Sequence, residues 1–127
     1  MKGQLKGREN LSLTQRLEKE KTIVISLYPY FTKNASWCIE ICLQDAKEGT
    51  VAISFLRNGE TATDHGSFMF IRTTLDNVEM LVNISVANYQ ALRDRGEALP
   101  SRGYGIYKEM LKLLEKGGCD DVRSKRA

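Results

Sequence analysis

The sequence predicts an α+β fold, an antiparallel β-meander of about five strands with a C-terminal helix packed on one face. Three observations predict it. Between Thr22 and Ser85 apolar residues recur with a period of two. Turn-forming residues interrupt that stretch at short intervals. From Gly105 to Lys116 the period becomes 3.6.

The elements follow in order. Residues 1–11 are polar and charged and read as an N-terminal arm. Ser12-Leu13-Thr14-Gln15 is a capping-box pattern, and Leu13 and Leu17 at helical spacing predict a helix over Leu13–Glu20. Thr22–Tyr30 is rich in β-branched and aromatic residues and reads as a strand; Pro29 suggests an edge position. In Ser36–Gln44, Trp37, Ile39, Ile41 and Leu43 fall on one face, opposite Cys38, Glu40, Cys42 and Gln44. Thr50–Leu56 alternates again, and Arg57-Asn58-Gly59-Glu60 offers an Asn-Gly turn. Thr61–Gly66 reads as a polar loop. Ser67–Thr73 sets Phe68, Phe70 and Arg72 against Met69 and Ile71. Leu75-Asp76-Asn77 reads as a turn. Val78–Ser85 reads as a fifth strand carrying Val78, Met80, Val82 and Ile84 on one face. Ala87–Arg95 reads as a helix and Glu97–Tyr104 as a loop. Gly105–Lys116 is an amphipathic helix with Ile106, Met110, Leu113 and Leu114 on one stripe, closed by Gly117-Gly118. The expected core contains Trp37, Ile39, Ile41, Val51, Ile53, Phe55, Met110, Leu113 and Leu114. Residues 12–119 form a single domain in this reading, and 120–127 a charged tail.

With 127 residues, 42% hydrophobic and 28% charged, the composition is that of a globular domain large enough to bury a core without staples. No apolar run approaches the roughly 20 residues that span a bilayer, so no membrane partner is expected. The first seven residues hold lysines but no apolar stretch, so the expectation is a cytoplasmic or nuclear protein that is not secreted. The cysteines Cys38, Cys42 and Cys119 are odd in number and lack a Cys-x-x-Cys spacing, which excludes a disulfide framework and a zinc knuckle. Cys38 and Cys42 share a strand face roughly 13 Å apart, too far to bridge. They read as free thiols. No metal and no cofactor are expected.

Nucleophile and Walker motifs are absent, so no catalytic residue is assigned. The single histidine, His65, lacks partners at ligand spacing and sits in a polar loop, where an exposed imidazole is the simplest reading. Glu60 and Asp64 lie in the same loop without a second functional group. Trp37 shares its face with apolar neighbours and belongs to the core. Tyr28, Tyr30, Phe31, Phe68 and Phe70 sit in or beside strands, where aromatic residues are core more often than base-stacking platforms.

Ser101-Arg102-Gly103-Tyr104-Gly105-Ile106 leads into the last helix. Two glycines let backbone approach a ligand, and a helix start favours an anion. Arg102, Gly103 and Gly105 are therefore the candidate anion-binding residues. Over Arg102 to Val122, including Gly118-Cys119, the segment resembles the pyrophosphate loop of the GNAT acyltransferases. That resemblance implies an acetyl-CoA-like ligand. It departs from the family in placing a helix between the last strand and the loop.

Net charge is +3, and its distribution is uneven. Residues 1–21 carry +3, residues 22–84 carry −3 and residues 85–127 carry +3. A polyanion would meet the basic ends and the last helix. The candidate nucleic-acid-binding residues are Lys2, Lys6, Arg8, Lys108, Lys112, Lys116, Arg123, Lys125 and Arg126. The leading expectation is a small non-enzymatic binding module for nucleic acid. The second is a protein–protein interaction or regulatory module, homodimeric, using free strand edges and spare apolar residues. The third is a small enzyme with a glycine-loop anion site.

Overall fold

The computed structural model describes residues 11–27, 36–97 and 101–116. Its elements are α1 (Leu13–Glu20), β1 (Thr22–Ser26), β2 (Trp37–Asp45), β3 (Thr50–Arg57), β4 (Glu60–Thr61), β5 (Thr63–Asp64), β6 (Ser67–Phe68), β7 (Phe70–Thr74), α2 (Leu75–Asp94) and α3 (Arg102–Glu115). The expected α+β architecture holds. A five-stranded antiparallel sheet carries the C-terminal helices on one face.

The capping box closes as the sequence predicts. Ser12 Oγ accepts from the Gln15 N–H at 3.1 Å, and the Ser12 N–H donates to Gln15 Oε1 at 2.9 Å. These bonds satisfy two donors that the first helical turn would otherwise leave open. Leu17 of α1 is buried in the core.

β1, β2 and β3 form a meander. Ile23 and Ile25 face Ile41 and Ile39, and these face Ile53 and Phe55 on β3. A period of two places that whole set on the inner face. Between β2 and β3, Asp45 Oδ1 accepts from the N–H groups of Lys47 and Glu48, and Gly49 turns the chain at a φ of 75°. Asn58 (φ 54°) and Gly59 (φ 83°) make the expected tight turn into β4.

The edge beyond β3 is built in two pieces. β4 pairs with Leu56 and Arg57, and β7 pairs with Thr50–Ser54. Between them β5 and β6 form a small hairpin. Phe55 bridges the gap: its carbonyl accepts from Ala62 N–H at 2.8 Å and its N–H donates to Met69 O at 3.1 Å. Thr61–Gly66 is therefore not the plain loop expected from its polarity. Ser67–Thr73 splits at Met69, which points into the core. Its expected faces are borne out: Met69 and Ile71 are buried, while Phe68, Phe70 and Arg72 are exposed.

The largest correction concerns Val78–Ser85. It is not a strand, and Leu75-Asp76-Asn77 is not a turn. Both belong to α2, which runs on through Ala87 to Asp94. Val78, Leu81, Val82, Ser85, Val86 and Tyr89 are its buried stripe, while Met80 and Ile84 are exposed. The alternation of Val78, Met80, Val82 and Ile84 mixes two inward residues with two outward ones. α3 also begins earlier than expected, at Arg102 rather than Gly105, which shortens the predicted Glu97–Tyr104 loop.

One apolar core joins the elements, from Leu17 through the inner strand residues to Ile106 and Met110. Eight of the nine expected core residues are buried; Leu113 is only partly so and packs at the margin. Among the described residues no helix is long and apolar enough to cross a membrane. The arm, Tyr28, Tyr30, Phe31, Cys119, the Gly117-Gly118 stop and the tail lie outside the described residues.

Candidate functional site

The two glycines of the Ser101–Ile106 segment stand inside α3 rather than in a loop. Both are buried. A Cβ added to Gly103 would lie 1.9 Å from Trp37 Cε3, and one added to Gly105 would lie 1.9 Å from Tyr89 Cε1. Real Cβ atoms never approach so closely, so each glycine lets the helix sit directly on an aromatic ring. Gly103 seats α3 on β2, and Gly105 seats it on α2. The loop that the GNAT resemblance implies is thus the first turn of a helix, with Arg102 at its first helical position.

Beside that helix start lies a cleft of 790 Å³. One wall is the β3–β4 turn, with Arg57, Asn58, Glu60 and Thr61. Thr63 and Met69 continue it from the interrupted edge. Trp37 lines the cleft from β2, and Ser101 and Tyr104 line it from the start of α3. Arg57 is paired directly with Trp37 across the β2–β3 ladder, and its guanidinium lies 5.9 Å from the Trp37 ring centroid. An arginine over an indole face is a favourable cation–π arrangement.

Tyr104 is held in place from the core outward. Its ring lies 6.4 Å from that of Tyr107, and Tyr107 sets its edge against Phe55 at 5.4 Å and 73°. Burial pushes the Tyr107 phenol above its ordinary range. The Asp64 carboxylate adds to this, and Lys108 opposes it. Burial likewise raises Tyr89, against Arg102 and Arg93.

Lys108 and Lys112 on α3 and Lys116 at its C-cap are all exposed. Lys108 places its ammonium 5.4 Å from the ring centroid of Tyr104, a residue that lines the cleft. Lys112 bonds Glu109 at 3.1 Å, with Glu109 itself buried. Lys2, Lys6, Arg8, Arg123, Lys125 and Arg126 lie outside the described residues.

The remaining candidates stand apart from the cleft. His65 occupies the β5–β6 turn with a φ of 55°, and its Nε2 is 3.5 Å from Asp64 Oδ1 on an exposed ring. Cys38 and Cys42 are free and half-buried, and they share the outer face of β2 with Glu40. Thr22 Oγ1 donates to Cys42 Sγ at 3.6 Å. Among the described residues no three His, Cys, Asp or Glu side chains cluster as metal ligands.

Sequence reasoning missed the cleft. Its parts come from three separated segments, and only the Asn-Gly turn carries a local signal. Comparison with protein-family models, with curated proteins and with solved structures found no match.

Proposed function

We propose that this chain is a non-enzymatic nucleic-acid-binding module that meets phosphates with the lysine face of α3. The observation that carries the reading is the continuity of that face with the cleft. Lys108, Lys112 and Lys116 are exposed at four-residue spacing, and Lys108 lies against the ring of Tyr104, which lines the cleft together with Arg57. Lysines four apart on a helix lie about 6 Å apart along its axis, so the row presents a line of charge rather than a point. The start of α3 at Ser101 and Arg102, with its partial positive charge, would add an anion-accepting end to that line. The basic residues 2, 6, 8, 123, 125 and 126 would add further phosphate contacts. Glu109 reduces the field of the row, since Lys112 must exchange that partner for a phosphate.

The test is fluorescence anisotropy with labelled single- and double-stranded oligonucleotides at low salt. It uses the full chain and a chain lacking residues 1–11 and 120–127. Binding that survives truncation supports the helical face as the main contact. Absence of binding by the full chain ends the nucleic-acid reading.

A second reading, self-association, has its own observation. The outer face of the five-stranded sheet carries Val24 (58% exposed) and Phe70 (40%), and Phe68 (67%) is exposed on the β5–β6 hairpin. Light scattering across a concentration series tests it. A dimer that Phe70→Lys dissociates would favour it, and a monomer at all concentrations would remove it.

A further inference from the structure

We propose that the cleft beside the start of α3 takes one unpaired nucleotide of a single strand, whose flanking phosphates run along the lysine face. This rests on the nucleic-acid reading and adds the form of nucleic acid and the place of the base.

The dimensions fit. At 790 Å³ the cleft lies within the roughly 300–1,000 Å³ of sites that hold small organic ligands. The lining fits the chemistry of a base. A base offers two π faces and an edge of hydrogen-bond donors and acceptors. Tyr104 offers a ring at the rim. Asn58, Glu60 and Thr63 line the same cleft, and their amide, carboxylate and hydroxyl supply the donors and acceptors that a base edge needs. The paired signs of Arg57 and Glu60 suit a base carrying amino groups beside a phosphate. A bare polyphosphate would be repelled by Glu60.

The rim is also preformed. Asn58 and Gly59 hold the turn in a fixed left-handed conformation, and Tyr104 is braced through Tyr107 on Phe55. A duplex cannot fill such a site without unpairing a base, a cost that a single strand does not bear. The site therefore discriminates single strands from duplexes, while the lysine row does not.

Trp37 is the only tryptophan in the chain and lines the cleft, so its emission reports occupancy. The probes are a short oligodeoxyadenylate, the same strand with abasic sites, and a duplex of equal length. Anisotropy of each labelled probe is followed alongside Trp37 fluorescence. The expected result is that all three bind at low salt but only the base-bearing strand changes Trp37 emission. Tyr104→Leu and Asn58→Gly should each weaken the base-bearing strand roughly tenfold and leave the duplex within about twofold. Asn58→Gly keeps the turn conformation, so it tests the cleft even where Tyr104→Leu disturbs folding. Base-bearing and abasic strands that bind alike, with or without a change in emission, overturn the proposal while leaving the lysine row intact. Failure of every probe to bind overturns both.

Discussion

The two sides of α3 put opposite demands on one short helix. Its inner side needs the absence of side chains: Gly103 lies on Trp37 and Gly105 on Tyr89. Its outer side carries long ones, Lys108, Lys112 and Lys116, in open solvent. In the sequence the glycines look like a ligand loop and the lysines like a candidate phosphate-binding stripe on the last helix. In the structure the glycines have a packing role, and the lysines lead to the rim of a cleft. A residue's apparent function thus depends on what a distant segment brings beside it, here Trp37 from β2 and Arg57 from β3.

The inner side should dominate stability. Trp37→Ala should cost about 3–5 kcal/mol in a denaturant titration, the range for deleting a large buried aromatic. A loss below about 1 kcal/mol would break the claim that α3 is seated on this ring. Gly103→Ala comes next. In an open helix the change would gain about 1 kcal/mol in propensity. Here the new Cβ meets the fixed inner part of the indole, and overpacking of about 1–3 kcal/mol should win. The same change in a Trp37→Leu background should lose most of its penalty, which separates a clash with this ring from general strain. Gly105→Ala should cost a similar amount, about 1–3 kcal/mol, since its Cβ meets the ring of Tyr89, which is itself buried in the core.

A smaller effect sharpens the same contrast through pH. The Tyr107 phenol is raised, first by burial and then by Asp64. Above about pH 10 the unfolded chain sheds this proton while the folded chain keeps it. The stability linked to Tyr107 is therefore present below that pH and is lost as pH rises past it. Tyr107→Phe should make the fall in unfolding free energy between about pH 9 and 11 shallower. An unchanged slope would show that the phenol is solvated in the folded state.

The pattern of what was legible in the sequence follows from range. α1, β2, β3 and the Asn58-Gly59 turn depend on neighbours within a few residues, and all appear where their residues predict. Val78–Ser85 misleads because Met80 and Ile84 are apolar yet exposed. They complete a false period of two and hide the helical set of Val78, Leu81, Val82, Ser85, Val86 and Tyr89. The first turn of α3 misleads because two glycines weaken local helix propensity, and contacts with Trp37 and Tyr89 override it. The cleft has no sequence signature, since its walls are assembled by the fold.

The outer side of α3 should matter least to folding and most to binding. Replacing Lys108, Lys112 and Lys116 with Gln should shift unfolding free energy by no more than about 0.5 kcal/mol at Lys108 and at Lys116, and by about 1 kcal/mol or more at Lys112, whose ammonium is bonded to the buried Glu109 carboxylate. The most direct test of the central claim is the slope of log affinity against log salt for a single-stranded oligonucleotide, compared between the full chain and this triple variant. On a single strand each lost phosphate contact lowers the magnitude of the slope by roughly 0.7. The account predicts a drop of about 2 when all three lysines are replaced. An equal slope and affinity for the two proteins would contradict it and leave the lysine face as a solvated surface.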